Sequence, residues 1–189
     1  VPSSSAFITK KVQYKSLFIQ DEIALTNSLN ATMGARYDKI SNADNKATIQ
    51  VGLVQKLTEN TNLRANYAQG YRAPDIAELY VVSPSYKDGK RFGSDVIFGP
   101  KTSAYELKPE QSQTFEIALS NRMDKLFSEI VLFNTKIDDK IELVSYGSGN
   151  AKYYTSENLD KVDIKGVELN LDYTLNDNAD LNFNLTYLD

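Results

Sequence analysis

Two features of this sequence place side chains where they could do chemistry. One is a pair of carboxylates, Glu110 and Glu116, and the other is a stretch of rings and cations between Arg72 and Gln111. A carboxylate pair can act as general acid and base when a pocket raises one pKa or a nucleophile stands beside it. Neither accompanies Glu110 and Glu116, so strand carboxylates facing an interior are the better reading. The chain has no histidine and no cysteine. That removes Ser-His and Cys-His catalysis, His-ligated zinc or haem, disulfides and thiolate metal sites from these residues. No catalytic residue, cofactor or resident metal is expected.

The second feature points to binding. Tyr80, Tyr86, Phe92, Phe98 and Tyr105 are interleaved with Lys87, Lys90, Arg91 and Lys101. Aromatic faces beside cations suit an anionic ligand with flat rings, through charge attraction, stacking and cation–π contact. The competing reading is a solvated loop with its own aromatic cluster. Asp38, Asn42, Asp44 and Asn45 carry hard oxygen donors, but their spacing matches no standard calcium loop, and a solvated turn is the better reading. Asn30-Ala-Thr32 and Asn184-Leu-Thr186 fit a glycosylation pattern but fall inside expected strands. With 21 basic and 25 acidic residues, net charge −4, the chain has no basic excess to favour nucleic acid.

These residues must be held by strands. Leu29, Ala31, Met33, Ala35 and Tyr37 alternate with Asn30, Thr32, Gly34, Arg36 and Asp38, a period of two that puts one set on each face. The pattern recurs at Ile49, Val51 and Leu53, at Phe115, Ile117 and Leu119, at Val167 to Leu175, and at Leu181, Phe183, Leu185 and Tyr187. Phe18 interrupts the Leu17, Ile19, Ile23 and Leu25 face, and Ile130–Phe133 is apolar on both faces. Val162 and Ile164 are out of phase with Val167 onward, and Gly166 at the slip predicts a β-bulge.

About eight strands result, over 7–25, 29–40, 46–57, 62–71, 112–121, 126–144, 151–175 and 179–189. Short turns near 26–28, 59–62, 121–125 and 176–179 alternate with longer links near 41–46, 72–111 and 136–152. Outer-membrane barrels keep that rhythm, with short periplasmic turns and long extracellular loops. The longest apolar run is Ile130–Phe133, far below the roughly 20 residues of a membrane helix. Tyr37, Tyr67, Tyr71, Tyr173 and Tyr187 fall near strand ends, where interfacial rings gather. The expected class is all-β, an antiparallel transmembrane barrel segment forming a single partial domain over 1–189. An open eight-strand sheet would leave edges that lipid does not tolerate, so the chain is expected to be a fragment.

Ordered motifs then point to a family. Tyr71-Arg72-Ala73-Pro74 with Glu78-Leu79-Tyr80, and Leu107-Lys108-Pro109-Glu110 with Phe115-Glu116, resemble signatures of TonB-dependent outer-membrane receptors. So do Leu132-Phe133-Asn134 with Ile137 to Ile141, and Asn158 with Lys165-Gly166-Val167-Glu168. Upstream, Phe18 to Glu22 and Gly34 to Asp38 resemble the paired strands of that family. The match is to siderophore-type members, especially the ferric-catecholate and colicin-receptor branch, with haem receptors beside them. The resemblance implies a barrel of about 22 strands filled by a plug, with TonB engaged through a box before the plug. Neither plug nor box is among these residues. It also implies uptake of a ferric siderophore or similar chelate across the bacterial outer membrane, with outer-membrane lipid and the TonB complex as partners. Tyr71, Arg72, Ala73, Pro74, Glu78, Leu107, Pro109, Glu110, Glu116, Asn158, Gly166 and Glu168 are then mainly structural, and the 72–111 segment is the chelate-binding candidate. A haem receptor, a passive porin-like barrel and a soluble β-sandwich are the competing classes.

Overall fold

The computed structural model describes residues 10–99 and 107–189. Seven long strands follow one another as antiparallel neighbours: β1 Tyr14–Ala24, β2 Leu29–Ile40, β3 Lys46–Lys56, β4 Thr61–Arg72, then Glu110–Met123, Leu126–Tyr146 and Tyr153–Asn176. Between β4 and its partner Glu110–Met123 the chain builds a small unit: α1 Ile76–Tyr80, β5 Val82–Tyr86, β6 Gly89–Phe92 and α2 Ser94–Phe98. The long strands after it are therefore β7, β8 and β9, and β10 is Ala179–Leu188. Among the described residues the sheet has ten strands, not eight, because 72–111 contributes β5 and β6. Among the described residues, β1 pairs only with β2, and β10 only with β9.

Each short turn is closed by its own backbone. Leu25 and Thr26 N–H both donate to the Leu29 carbonyl, at 2.9 and 3.1 Å. The Thr26 hydroxyl accepts from Ser28 and Leu29 N–H, so a polar residue in the turn replaces the water that strand ends would need. The link expected at 136–152 is far shorter than that. β8 and β9 pair in one register from Leu126↔Tyr173 to Tyr146↔Tyr153, with a break at Asp139 and Asp160, and residues 147–152 turn the chain, around a 3-10 turn at Gly149–Ala151.

Cross-strand register sorts the side chains into two faces, since opposed residues share a face. Leu63, Leu119, Ile130, Leu169 and Leu185 form one continuous row across β4, β7, β8, β9 and β10. Ala65, Ile117, Leu132, Val167 and Tyr187 form the next. These rows stay open to the surroundings, with Leu185 at 55% and Leu132 at 52% exposure. A sheet that leaves its apolar rows uncovered is built for hydrocarbon, since water would not tolerate so large a patch. Tyr37 and Tyr67 sit at the loop-side limit of this face and Tyr173 near its turn-side limit. Phe18 lies opposite Arg36 on the inner face, so it does not break the outer pattern.

No bulge occurs at Gly166. It faces Phe133 in unbroken register, and Val162 and Ile164 follow without a slip. The change of pattern has a different cause. Above the Leu132–Val167 row the outer face turns polar, at Lys136, Asp138, Lys161, Asp163 and Lys165. Ile137, Val162 and Ile164 lie on the inner face instead. The outside there is water rather than lipid, so the burial preference of the two faces inverts. Gly166 answers a packing need: a Cβ on it would stand 2.5 Å from the Phe133 ring, which lies across the glycine.

Placing Leu185→Lys in a receptor that contains this chain should cost about 2–4 kcal/mol of folding stability in a phospholipid bilayer. Asn184→Lys, on the inner face of the same strand, should cost less than about 1 kcal/mol. Urea unfolding from liposomes measures both, and equal costs would show that the outer face is not the lipid face.

Candidate functional site

The base of the 73–109 unit is clasped by the signature residues. Arg72, last in β4, lies opposite Glu110, first in β7. Its guanidinium donates from Nε to Glu110 Oε2 at 2.9 Å and from Nη2 to Oε1 at 2.7 Å. The remaining Nη1 reaches both oxygens of Glu78, at 3.0 and 3.1 Å. Only a planar fork of donors can hold two carboxylates in this way. Glu78 also closes a capping box on α1: its own N–H donates to Asp75 Oδ1 at 2.6 Å, and it accepts from Asp75 N–H at 2.8 Å. Glu110 takes a further bond from Ile141 N–H at 2.8 Å, tying the clasp to β8. The clasp stands beyond the apolar rows, five residues past Tyr67 along β4. There Arg72 holds the Glu110 carboxyl below its ordinary pKa, through its hydrogen bonds, against the opposing effect of burial.

A second clasp closes the return end of the unit. The Asn158 side chain imitates a neighbouring strand: Oδ1 accepts from Lys108 N–H at 2.7 Å, and Nδ2 donates to Lys108 C=O at 2.8 Å. Nδ2 also donates to the Asp139 carbonyl at 2.6 Å, where the backbone is left-handed with φ of 54°. Between the clasps Leu79, Leu107 and Ile141 form a small buried core flanked by Tyr80. Pro74 is buried and its carbonyl accepts from Asn42 Nδ2 at 3.2 Å. The Tyr71 hydroxyl donates to the Asp44 carbonyl at 2.6 Å. The 41–45 link thus uses its polar groups to hold β4's exit, and among the described residues no cluster of three acidic side chains could hold a metal. Ala73 and Pro109 lie at the two mouths of the unit.

Three signature residues lie elsewhere. Glu116 accepts from Asn66 Nδ2 at 3.1 Å on the inner wall, Glu168 faces Val131 and Thr186 on that wall, and Gly166 seats Phe133.

The tip of the unit is where rings and cations meet. β5 and β6 form a hairpin whose turn, Lys87-Asp88, places Lys87 at φ of 49°. β6 then docks on β9 in the sheet's parallel pairing, Lys90↔Tyr153 and Arg91↔Tyr154. Tyr86 meets Tyr154 edge to face, ring centroids 5.4 Å apart. Lys87 Nζ stands 5.5 Å from both rings, Arg91 5.4 Å from Tyr86, and Lys152 5.3 Å from Tyr154. Asp88 closes the tip, accepting from Lys152 Nζ at 2.6 Å and from the Tyr154 hydroxyl. Those two donors pull the Asp88 carboxyl from its ordinary 3.8 to about 2. A lowered carboxyl supports the contact fully above its unfolded value and loses it as pH falls through about 2, so the tip stays charged throughout neutral and mildly acid conditions.

Of the nine loop residues expected to bind, the described ones are not all brought to one surface. Tyr86, Lys87 and Arg91 share the tip, with Lys90 exposed beside them. Phe92 is buried, its ring centroid 6.2 Å from that of Tyr153. Tyr80 belongs to the core side, with Lys10 Nζ 4.7 Å from its ring. Phe98 lines a separate cavity of about 520 Å³ with Lys108, Tyr146, Tyr153, Glu157 and Asn158. Lys101 and Tyr105 lie outside the described residues. Sequence reasoning missed Asp88, Lys152 and Tyr154. The run Lys152-Tyr153-Tyr154 has the same mix of charge and ring as the loop, which was the available signal.

Comparison with known proteins now identifies the class. Residues 2–189 match the family described as TonB dependent receptor-like, beta-barrel, and the chain belongs to that family. It is similar to the ferric enterobactin receptor of Pseudomonas aeruginosa, 31% identical over 188 residues, covering 92% of this chain and 24% of that protein. The hemin receptor of Yersinia pestis is 29% identical, over 97% of this chain and 29% of its own length. A crystal structure of a point mutant of the Pseudomonas receptor in complex with enterobactin gives a TM-score of 0.73 at 26% identity, over 94% of this chain and 27% of that one. The chain thus spans about a quarter of the length of the curated relatives it matches. The family comprises outer-membrane transport receptors rather than enzymes, and the apolar rows are the surface this chain turns to outer-membrane lipid.

Arg72→Ala should loosen the base of the unit without unfolding the wall. The expected change is about 1–3 kcal/mol in local opening, because charge-assisted bonds are strong but Arg72 is partly solvated. Hydrogen exchange read at 76–80 and 107–110 measures it, with 46–56 as the unchanged reference. Slow exchange at both clasp segments in the variant would contradict it.

Proposed function

We propose that these residues form part of the wall and outer vestibule of a receptor that takes up a ferric siderophore, with energy supplied through TonB. The observation that carries the reading is the tip cluster, three cations around the paired rings of Tyr86 and Tyr154. It stands on the loop side of the lipid rows, where an extracellular chelate would first arrive. A ferric catecholate is a flat-faced polyanion, so charge draws it in and the rings offer stacking and cation–π contact. Similarity to receptors whose names specify ferric enterobactin supports the same class of cargo. The two clasps give the cluster a fixed base, which limits the ordering cost of binding. Plug and TonB contact belong to parts of such a receptor outside these residues.

The test uses the full-length receptor and two chelates, a ferric tris-catecholate and a neutral ferric tris-hydroxamate. Lys87→Ala, Arg91→Ala and Lys152→Ala should each weaken catecholate binding by about 3- to 30-fold, the range of a partly desolvated cation–π contact. Hydroxamate affinity should not move. Unchanged catecholate binding in all three variants would refute the site, and tight haem binding in place of the catecholate would move the receptor to the haem branch.

A further inference from the structure

The tip cluster already holds an anion of its own. Asp88 places one carboxylate oxygen 2.6 Å from Lys152 Nζ and the other on the Tyr154 hydroxyl. Among the described residues, the other two cations, Lys87 and Arg91, have rings beside them and no carboxylate within ion-pair distance. The cluster is thus neutralised from within at Lys152, and not at Lys87 or Arg91. Resting on the chelate-binding reading above, we infer that Asp88 is a specificity-determining residue: a resident counter-ion that an incoming ligand must displace from Lys152 and Tyr154.

Geometry makes the displacement local and cheap. The hairpin seats on β9 through Lys90 N–H donating to the Lys152 carbonyl at 3.1 Å and through two register pairs. Gly89 is what allows that approach, because a Cβ there would stand 2.6 Å from the Lys152 carbonyl oxygen. These backbone contacts hold the hairpin without the Asp88 side chain. The carboxylate itself is 62% exposed while Lys152 is 25% exposed, so the pair is screened on one side and open to exchange. A ligand that brings several oxygens and spans Lys87, Arg91 and Lys152 together outcompetes a single carboxylate. One that brings a lone weak charge, or none, does not. Asp88 therefore sets a threshold that admits polyanions and excludes small carboxylates.

Asp88→Asn keeps the side chain's size and removes its charge. In the full-length receptor it should tighten binding of ferric tris-catecholate by about ten-fold, since a competing charge leaves the site. Neutral ferric tris-hydroxamate should bind as before. Acetate should leave wild type unaffected and become a competitive inhibitor in Asp88→Asn, because it can take the position of the lost carboxylate. Asp88→Glu, which restores the charge, should bring catecholate affinity back toward wild type and abolish acetate inhibition. If Lys152→Ala weakens catecholate binding but Asp88→Asn leaves it unchanged or weaker, the resident counter-ion is overturned and the binding site stands. If none of Lys87→Ala, Arg91→Ala and Lys152→Ala alters binding, the site itself is wrong and the counter-ion falls with it.

Discussion

Inside a bilayer the backbone has no water to bond, so every strand N–H and C=O must find its partner in another strand. That constraint accounts for the unbroken ladder from β1 to β4 and on through β7, β8, β9 and β10. It also frees the side chains from the task of holding a core. Few apolar residues are buried here, and the largest continuous apolar surface faces outward. Fold stability rests on pairing and on the lipid around the rows, and the inner face can afford polar groups such as Arg64, Asn66 and Glu116.

Once the rows pass out of the lipid, the same ladder serves another purpose. β8 and β9 run on as a paired ribbon, and the 73–109 unit with its Arg72–Glu110 clasp leans on it at three places: Glu110 on Ile141, Asn158 on Lys108, and β6 on Tyr153 and Tyr154. Each contact uses a group that pairing in the wall does not consume. Arg72 satisfies two carboxylates at once, Asn158 supplies a strand edge where none exists, and Gly89 yields the space for a backbone to come close. The signature motifs converge on the first two of these contacts, which bring together residues far apart in the chain.

Much of this was legible from residue order. Alternation placed the long strands within a few residues, because period two is a local property that lipid enforces on one face, except that the strand expected over 7–25 begins at Tyr14, with residues 10–13 outside it. Where the surroundings changed, the same reasoning misled. Val162 and Ile164 looked out of phase because the outer face leaves lipid for water, and Gly166 was credited with a bulge when it only makes room for Phe133. The hairpin β5–β6 and its parallel docking depend on contacts more than sixty residues apart, between Asp88 and Lys152 for example, and no local pattern encodes them. For the site, the loop's charge and rings were visible, but which of them share a surface was not. Phe92 is buried, Phe98 faces another cavity, and two members of the tip cluster, Lys152 and Tyr154, come from the start of β9 and the residue before it.

On the proposed reading, an anionic chelate is first held at the tip, by residues of both the hairpin and β9. The decisive experiment is a structure of the full-length receptor with ferric tris-catecholate bound. The chelate is expected in contact with Tyr86, Lys87, Arg91 and Tyr154, with Lys152 turned from Asp88 toward its oxygens. A chelate seated in the vestibule with the Asp88–Lys152 pair intact and the tip untouched would contradict it.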